Sequence, residues 1–176
     1  MPQELLDIGF AHERSTGGED WLTPPRILKA LGEFDLDPCA AVNQPWPTAK
    51  VQYTIHDNGL LKPWVGRVYC NPPYGNQTAK WMRKLAQHGN GIALIFARTE
   101  TKIFFPWVWG YADALLFLKG RVRFYTKEGK EGGSAGSPSI LVAYGAGNVT
   151  ALETCGLAGH LVYNTKKTLD TGRDSR

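Results

Sequence analysis

The sequence predicts an α/β domain in three layers, built on a mostly parallel sheet. Three observations lead there. Short β-branched or apolar runs alternate with helix-period segments through the first part of the chain. One run, GIALIFA at residues 91–97, is almost wholly apolar, as a strand covered on both faces must be. The later part is strand-rich, which predicts that a hairpin closes the sheet. At 176 residues the chain suits a single domain with its own core.

Taken in order, residues 1–20 are polar and carry the run STGGED, so a flexible N-terminal segment is expected. In WLTPPRILKALGEF, Thr23 is placed to cap a helix with Pro24 at its first position. Ile27, Leu28 and Leu31 fall on one face, and Gly32 ends it. Residues 34–36 predict a short strand that Pro38 breaks. The stretch VNQPWPTAK holds two prolines and excludes a regular helix. KVQYTI predicts a second strand, HDNGLLKPW a turn, and RVYC a third strand. TAKWMRKLAQH is an amphipathic helix with Trp81, Met82 and Leu85 facing inward. After GIALIFA, TKIFFPWVWGY predicts a helix interrupted by Pro106. DALLFLK, RVRFYT and SPSILVAYG predict strands, and KEGKEGGSAGS at residues 127–137 a mobile loop. The domain proper is expected over residues 21–163, with a disordered tail at 164–176.

Composition excludes several classes. No apolar run approaches membrane-spanning length, and the opening MPQELLDIGF has no basic leader, so neither a membrane segment nor a signal peptide is expected. The three cysteines, Cys39, Cys70 and Cys155, are odd in number and far apart, which predicts reduced thiols in a cytoplasm. The four histidines show no paired ligand spacing, so no metal site is expected. A net charge of +4 and a pI near 9.0 permit a nucleic-acid partner without demanding one. The cations concentrate late. Arg98, Lys102, Arg121, Arg123, Lys127 and Lys130 follow the NPPY stretch and are the candidate phosphate contacts, whereas Asp35, Asp37 and Asp57 precede it.

The stretch RVYCNPPYGNQ carries the sharpest chemical signal. Pro72 cannot donate in a continuing ladder, and Asn71 before a proline is pushed to extended backbone. The strand therefore ends by presenting an amide, a stiff pair of prolines and a phenol ring at its carboxyl end, where open α/β sheets bind ligands. Asn71 and the carbonyl of Pro72 supply acceptors suited to an exocyclic amine, with two N–H donors. Accepting those protons leaves the nitrogen lone pair available and aims it. Tyr74 supplies a face for a planar heterocycle. Asp37, also at a strand end, suits an ammonium group or ribose hydroxyls. Asp57 is open between the ribose, a position near a cofactor adenine, and a plain turn aspartate. Trp64 and Trp81 read as scaffold.

The ordered set DWLTPP, DLDPCAA, DNGLLKPW and VYCNPPYG resembles the phage-type DNA adenine N6-methyltransferases, and ARTETKIFF, KGRVRF and SPSILVAYG are similar to that family's later blocks. The resemblance covers roughly residues 20–145. It implies the Rossmann-like class I methyltransferase fold, S-adenosylmethionine as cofactor, and methyl transfer to N6 of an adenine in DNA within a bacterial host cytoplasm. NPPY alone is shared with RNA and protein-glutamine methyltransferases, which remain alternatives, as does a catalytically silent nucleic-acid binder. Matched residue by residue, Asn71, Pro72, Pro73 and Tyr74 are the implied catalytic loop. Thr23, Pro24, Asp37, Pro38, Cys39, Ala40, Asp57 and Asn71 are the implied cofactor contacts. Two departures stand out. Cys39, Ala40 and Ala41 occupy the place of a glycine-rich stretch, and residues 41–49 leave little room for a full strand–helix–strand crossover, so an abbreviated fold is expected there. A base inside a duplex hides its amine, so the target must be flipped out or single-stranded. With no separate recognition domain expected, sequence reading falls to loops or a second subunit, and the oligomeric state stays open.

Overall fold

The computed structural model describes residues 21–75 and 77–165; the predicted flexible segment at 1–20 and the tail from 166 onward lie outside them. The chain runs α1 (Pro25–Leu31), β1 (Leu36–Asp37), β2 (Val51–Gln52), β3 (Val68–Cys70), α2 (Thr78–His88), β4 (Gly91–Phe96), β5 (Ala114–Leu118), β6 (Arg123–Tyr125), β7 (Glu131–Ser134), β8 (Ser139–Tyr144), α3 (Ala146–Thr154) and β9 (Gly159–Tyr163). A wide helical turn, Phe105–Trp109, lies between β4 and β5.

Seven strands form one sheet in the order β2-β1-β3-β4-β8-β5-β9. β1 to β4 pair parallel, while β8 runs antiparallel between β4 and β5, and β9 is antiparallel to β5. β5 therefore points the same way as β3 and β4, and five strands present their carboxyl ends along one edge. This mixed α/β architecture fits the Rossmann-like class. Between Asp37 and Val68 the chain contributes only β2 and no helix.

Period-two alternation sorts the core into two layers. Val68, Cys70, Ala93 and Ile95 face α2 and the wide turn, where Trp81, Met82, Leu85 and Val108 are buried. Tyr69, Ile92, Leu94 and Leu141 face α1 and α3, meeting Ile27, Leu31 and Leu152. Residues of both β3 and β8 are buried throughout, which explains their continuous apolar runs. Each fully buried leucine contributes about 2 kcal/mol by removal from water.

Several local expectations change. Thr23 does not cap α1: the helix begins at Pro25 without a side-chain cap bond, and the Thr23 hydroxyl instead meets the Tyr69 hydroxyl at 2.7 Å. The first strand is Leu36–Asp37, because Phe34 turns into the α1 core layer. Pro106 interrupts no helix. It sits in the first turn of Phe105–Trp109, where a missing N–H is tolerated, and the turn closes by Gly110 N–H to the Phe105 carbonyl at 3.1 Å. The predicted loop 127–137 contains β7, which pairs antiparallel with β6. Leu22 in turn bridges to Tyr125, so residues 21–23, β6 and β7 make a small antiparallel wall. α3 and β9 have no counterpart among the sequence expectations.

Candidate active site

The parallel pairing of β1 with β3 sets Asp37 and Asn71 at the ends of adjacent strands. Between them opens a cavity of about 540 Å³, within the usual range for small-molecule sites. Its other walls come from Trp21–Thr23, from Phe96 at the end of β4 and Arg98 just beyond it, and from the glycine- and serine-rich residues 133–137.

Asn71 is oriented by its own chemistry. Its Nδ2 donates to the Trp21 carbonyl oxygen at 3.1 Å, which fixes which end of the amide is which. Oδ1 is buried and has no hydrogen-bond partner among the described residues. A buried acceptor left in that state costs about 1–3 kcal/mol, a penalty that a bound donor relieves. The loop beyond it is tied down, since the Thr78 hydroxyl donates to the Pro73 carbonyl at 2.7 Å. Tyr74 stacks on Phe96 with centroids 4.3 Å apart and planes 13° apart.

Asp37 is 3% exposed, with no cation beside it among the described residues. Burial pushes its carboxyl up to about 6, against the opposing pull of the Thr48 hydroxyl and the Cys39 amide. The Cys39 N–H donates at 3.0 Å and the Thr48 hydroxyl at 2.5 Å. Thr48 belongs to a larger network: Gln44 Nε2 donates to Thr48 Oγ1 and to Gln52 Oε1, and Gln44 Oε1 accepts the Ala41 N–H at 3.2 Å. These side chains brace the turn that glycines build elsewhere. On its other side the turn touches Gly59, where a Cβ would stand 2.0 Å from the Pro38 carbonyl oxygen. No side chain fits there.

The Cys39 Sγ lies 3.7 Å from Cys70 Sγ and 3.4 Å from the Asn71 carbonyl oxygen. Its contact with Cys70, together with burial, holds the thiol well above its ordinary range and disfavours the thiolate.

The structure thus brings Thr23, Asp37, Cys39, Ala40 and the whole Asn71–Tyr74 loop to one cavity, with Arg98 in its wall. Pro24 and Pro38 shape the chain beside it without lining it. Asp57 is not brought there. Its carboxylate accepts the Thr54 N–H at 2.8 Å and pairs with Lys62 at 2.9 Å, and those bonds hold it down at about 2. The turn it stabilises is further pinned by Lys84 of α2, which donates to the carbonyls of Gly59, Leu60 and Lys62. The turn reading of Asp57 is the one the geometry supports.

Lys102, Arg121, Arg123, Lys127 and Lys130 are exposed outside the cavity, and Arg123 lies 3.9 Å from Glu131. Sequence reasoning missed Trp21, Gln44, Thr48 and Phe96. Only the unusual VNQPWPTAK stretch, standing where glycines were absent, hinted at Gln44 and Thr48. Among the described residues no group of three potential metal ligands gathers, and no helix is long and apolar enough to cross a membrane.

Comparison with known proteins bears on the same loop and strands. No curated protein and no solved structure matches the chain. A family model does, described as DNA N-6-adenine-methyltransferase (Dam), and it covers residues 11–149, which include every wall of the cavity. The chain belongs to the Dam family and is an enzyme, a DNA N6-adenine methyltransferase.

Proposed function

We propose that this chain transfers the methyl group of S-adenosylmethionine to the N6 amine of an adenine flipped out of duplex DNA, using the cavity between Asp37 and Asn71. The observation that carries this reading is the buried Oδ1 of Asn71, without a partner among the described residues, beside a stiff proline pair. An exocyclic amine supplies the donor it lacks, and the Pro72 carbonyl is a second acceptor within the same loop. Holding the two N–H groups leaves the nitrogen lone pair free and directed. Phe96 backs one face of the Tyr74 ring, and the adenine is proposed to take the other.

The donor set fits the cofactor. When bound, S-adenosylmethionine supplies a methyl group on a positively charged sulfur. Asp37, buried with no cation beside it among the described residues, suits the cofactor's positive charge, with Thr23 and the Cys39–Ala40 turn forming the rest of that wall. The network of Gln44, Thr48 and Gln52 holds Asp37 in place without glycines. The helix-free stretch between β1 and β3 supports an abbreviated form of the methyltransferase fold. Arg98 in the wall, with Lys102 and Arg121 outside it, is proposed to meet phosphates. Arg123, Lys127 and Lys130 share their ground with Glu128 and Glu131, which weakens their claim.

The test is methyl transfer from labelled S-adenosylmethionine to DNA, RNA and protein, followed by nucleoside analysis. N6-methyladenine in DNA, absent with Asn71→Ala, is expected. Label found only in RNA or in glutamine would overturn the assignment of substrate, and no transfer at all would leave a silent binder.

A further inference from the structure

The exposed cations of this chain are not equivalent. Arg123 lies 3.9 Å from Glu131, and Glu128, its carboxyl held down first by the Thr126 hydroxyl and its own backbone amide, sits between Lys127 and the nearby Lys130, so that part of the surface carries both signs of charge. Lys50 and Lys62 pair with acids as well. Arg26, Lys119 and Arg121 differ. They come from α1 and from both sides of the turn after β5, yet they line one depression of about 50 Å³ floored by Ile27, Val122 and Leu157. All three are exposed, and none makes an ion pair with a described residue. The depression is too small for a base and has room for about one or two water-sized groups.

Its place in the fold gives it a partner. β5 runs parallel to β3, so the turn at Lys119–Arg121 stands on the same carboxyl edge as Asn71. Three strand steps separate β3 from β5, about 14 Å at the usual strand spacing. Two cavity walls lead to the patch within three residues: Thr23 stands three before Arg26, and Phe124 three after Arg121. One DNA strand carries a phosphate about every 3.4 Å of helix axis, so a strand delivering its base to Asn71 has a phosphate about four steps away at this distance.

We propose that Arg26, Lys119 and Arg121 form a docking surface for the phosphate backbone of the DNA that delivers the target adenine. The proposal rests on the DNA-methyltransferase reading of the cavity. Guanidinium forks and an ammonium suit phosphate oxygens, and contacts of this kind set register without reading sequence.

The test is the salt dependence of binding to a fluorescent duplex, measured for the whole chain. A triple variant, Arg26→Gln/Lys119→Gln/Arg121→Gln, is compared with Lys80→Gln/Arg83→Gln on α2, which packs on the opposite face of the sheet. Each lost phosphate contact lowers the slope of log K against log salt by about 0.9. The triple variant is expected to lose about 2–3 units of slope and the α2 variant essentially none, with affinity for S-adenosylmethionine kept by both. A triple variant of wild-type slope, or equal loss in both variants, overturns the patch. A wild-type chain that transfers no methyl to DNA overturns the function reading instead, and the slope comparison still judges the patch.

Discussion

Asn71 gives its Nδ2 hydrogen to the Trp21 carbonyl, 3.1 Å away, and so turns Oδ1 away as the end with no partner among the described residues. Asn71→Ala removes the acceptor and should lower methyl transfer by at least about a hundredfold, near 3 kcal/mol in barrier. Affinity for S-adenosylmethionine should barely change, as seen by calorimetry. Asn71→Asp keeps an acceptor but sets a carboxylate oxygen against the Trp21 carbonyl, so it should also fail. Turnover near wild type in either variant would remove Asn71 from the chemistry.

Asp37 predicts two pH effects. Its folded carboxyl titrates near 6 rather than at the ordinary value of 3.8 because burial disfavours the charge. The folded state therefore holds this proton more tightly than the unfolded state does. Stability from this group is full below about pH 4 and is lost as pH rises to about 6, by about 3 kcal/mol. Asp37→Asn keeps the acceptor for the Cys39 amide and should flatten that fall in urea titrations. Cofactor binding should run the other way, tightening as pH rises through about 6 and the carboxylate forms. Asp37→Asn should bind the cofactor weakly at every pH. Parallel pH profiles for the two proteins would sink both effects.

Asp57 should behave as a turn residue. Asp57→Ala is expected to leave cofactor affinity unchanged while lowering the melting temperature. Its carboxyl is held down at about 2 by the Thr54 amide first, then by Lys62 and the Thr54 hydroxyl. The stability it lends is therefore present above about pH 4 and lost as pH falls toward 2. A several-fold loss of cofactor affinity with unchanged melting would return Asp57 to the ribose.

Tyr74 and Phe96 form a stacked pair at 4.3 Å, and base stacking needs only the ring. Tyr74→Phe should retain most activity. Tyr74→Ala removes a platform worth about 1–3 kcal/mol and should cut activity roughly tenfold or more. Phe96→Ala should fall between them, since it leaves the ring but removes its backing. The fluorescence of 2-aminopurine at the target position separates the cases: it should be brighter, when bound, with Tyr74→Ala than with Tyr74→Phe. Equal activity and equal brightness for these two would reduce Tyr74 to packing.

Local pattern determined a good deal here. The spacing of Trp81, Met82 and Leu85 marked α2 over the residues it occupies, because helix period and core face are properties of neighbouring residues. Asn71 before two prolines implied a strand that stops and an amide left at its end, since proline acts on the backbone beside it. The buried run of β4 was equally plain. Tertiary structure decided what meets what. Thr23 looks like a helix cap in sequence and becomes the partner of Tyr69, 46 residues away, because a buried hydroxyl there needs a hydrogen bond more than an exposed helix end does. Residues 131–134 are glycine-rich and read as a loop; they become β7 because β6 offers an open edge and backbone groups need no side-chain propensity to pair with it. Gln44, Thr48 and Gln52 carry no motif, and their joint hold on Asp37 exists only once β1 and β2 lie side by side. Asp57, 20 residues beyond Asp37 and read as a possible ribose ligand, meets nearer partners in the fold: Thr54 and Lys62 bond its carboxylate outside the cavity.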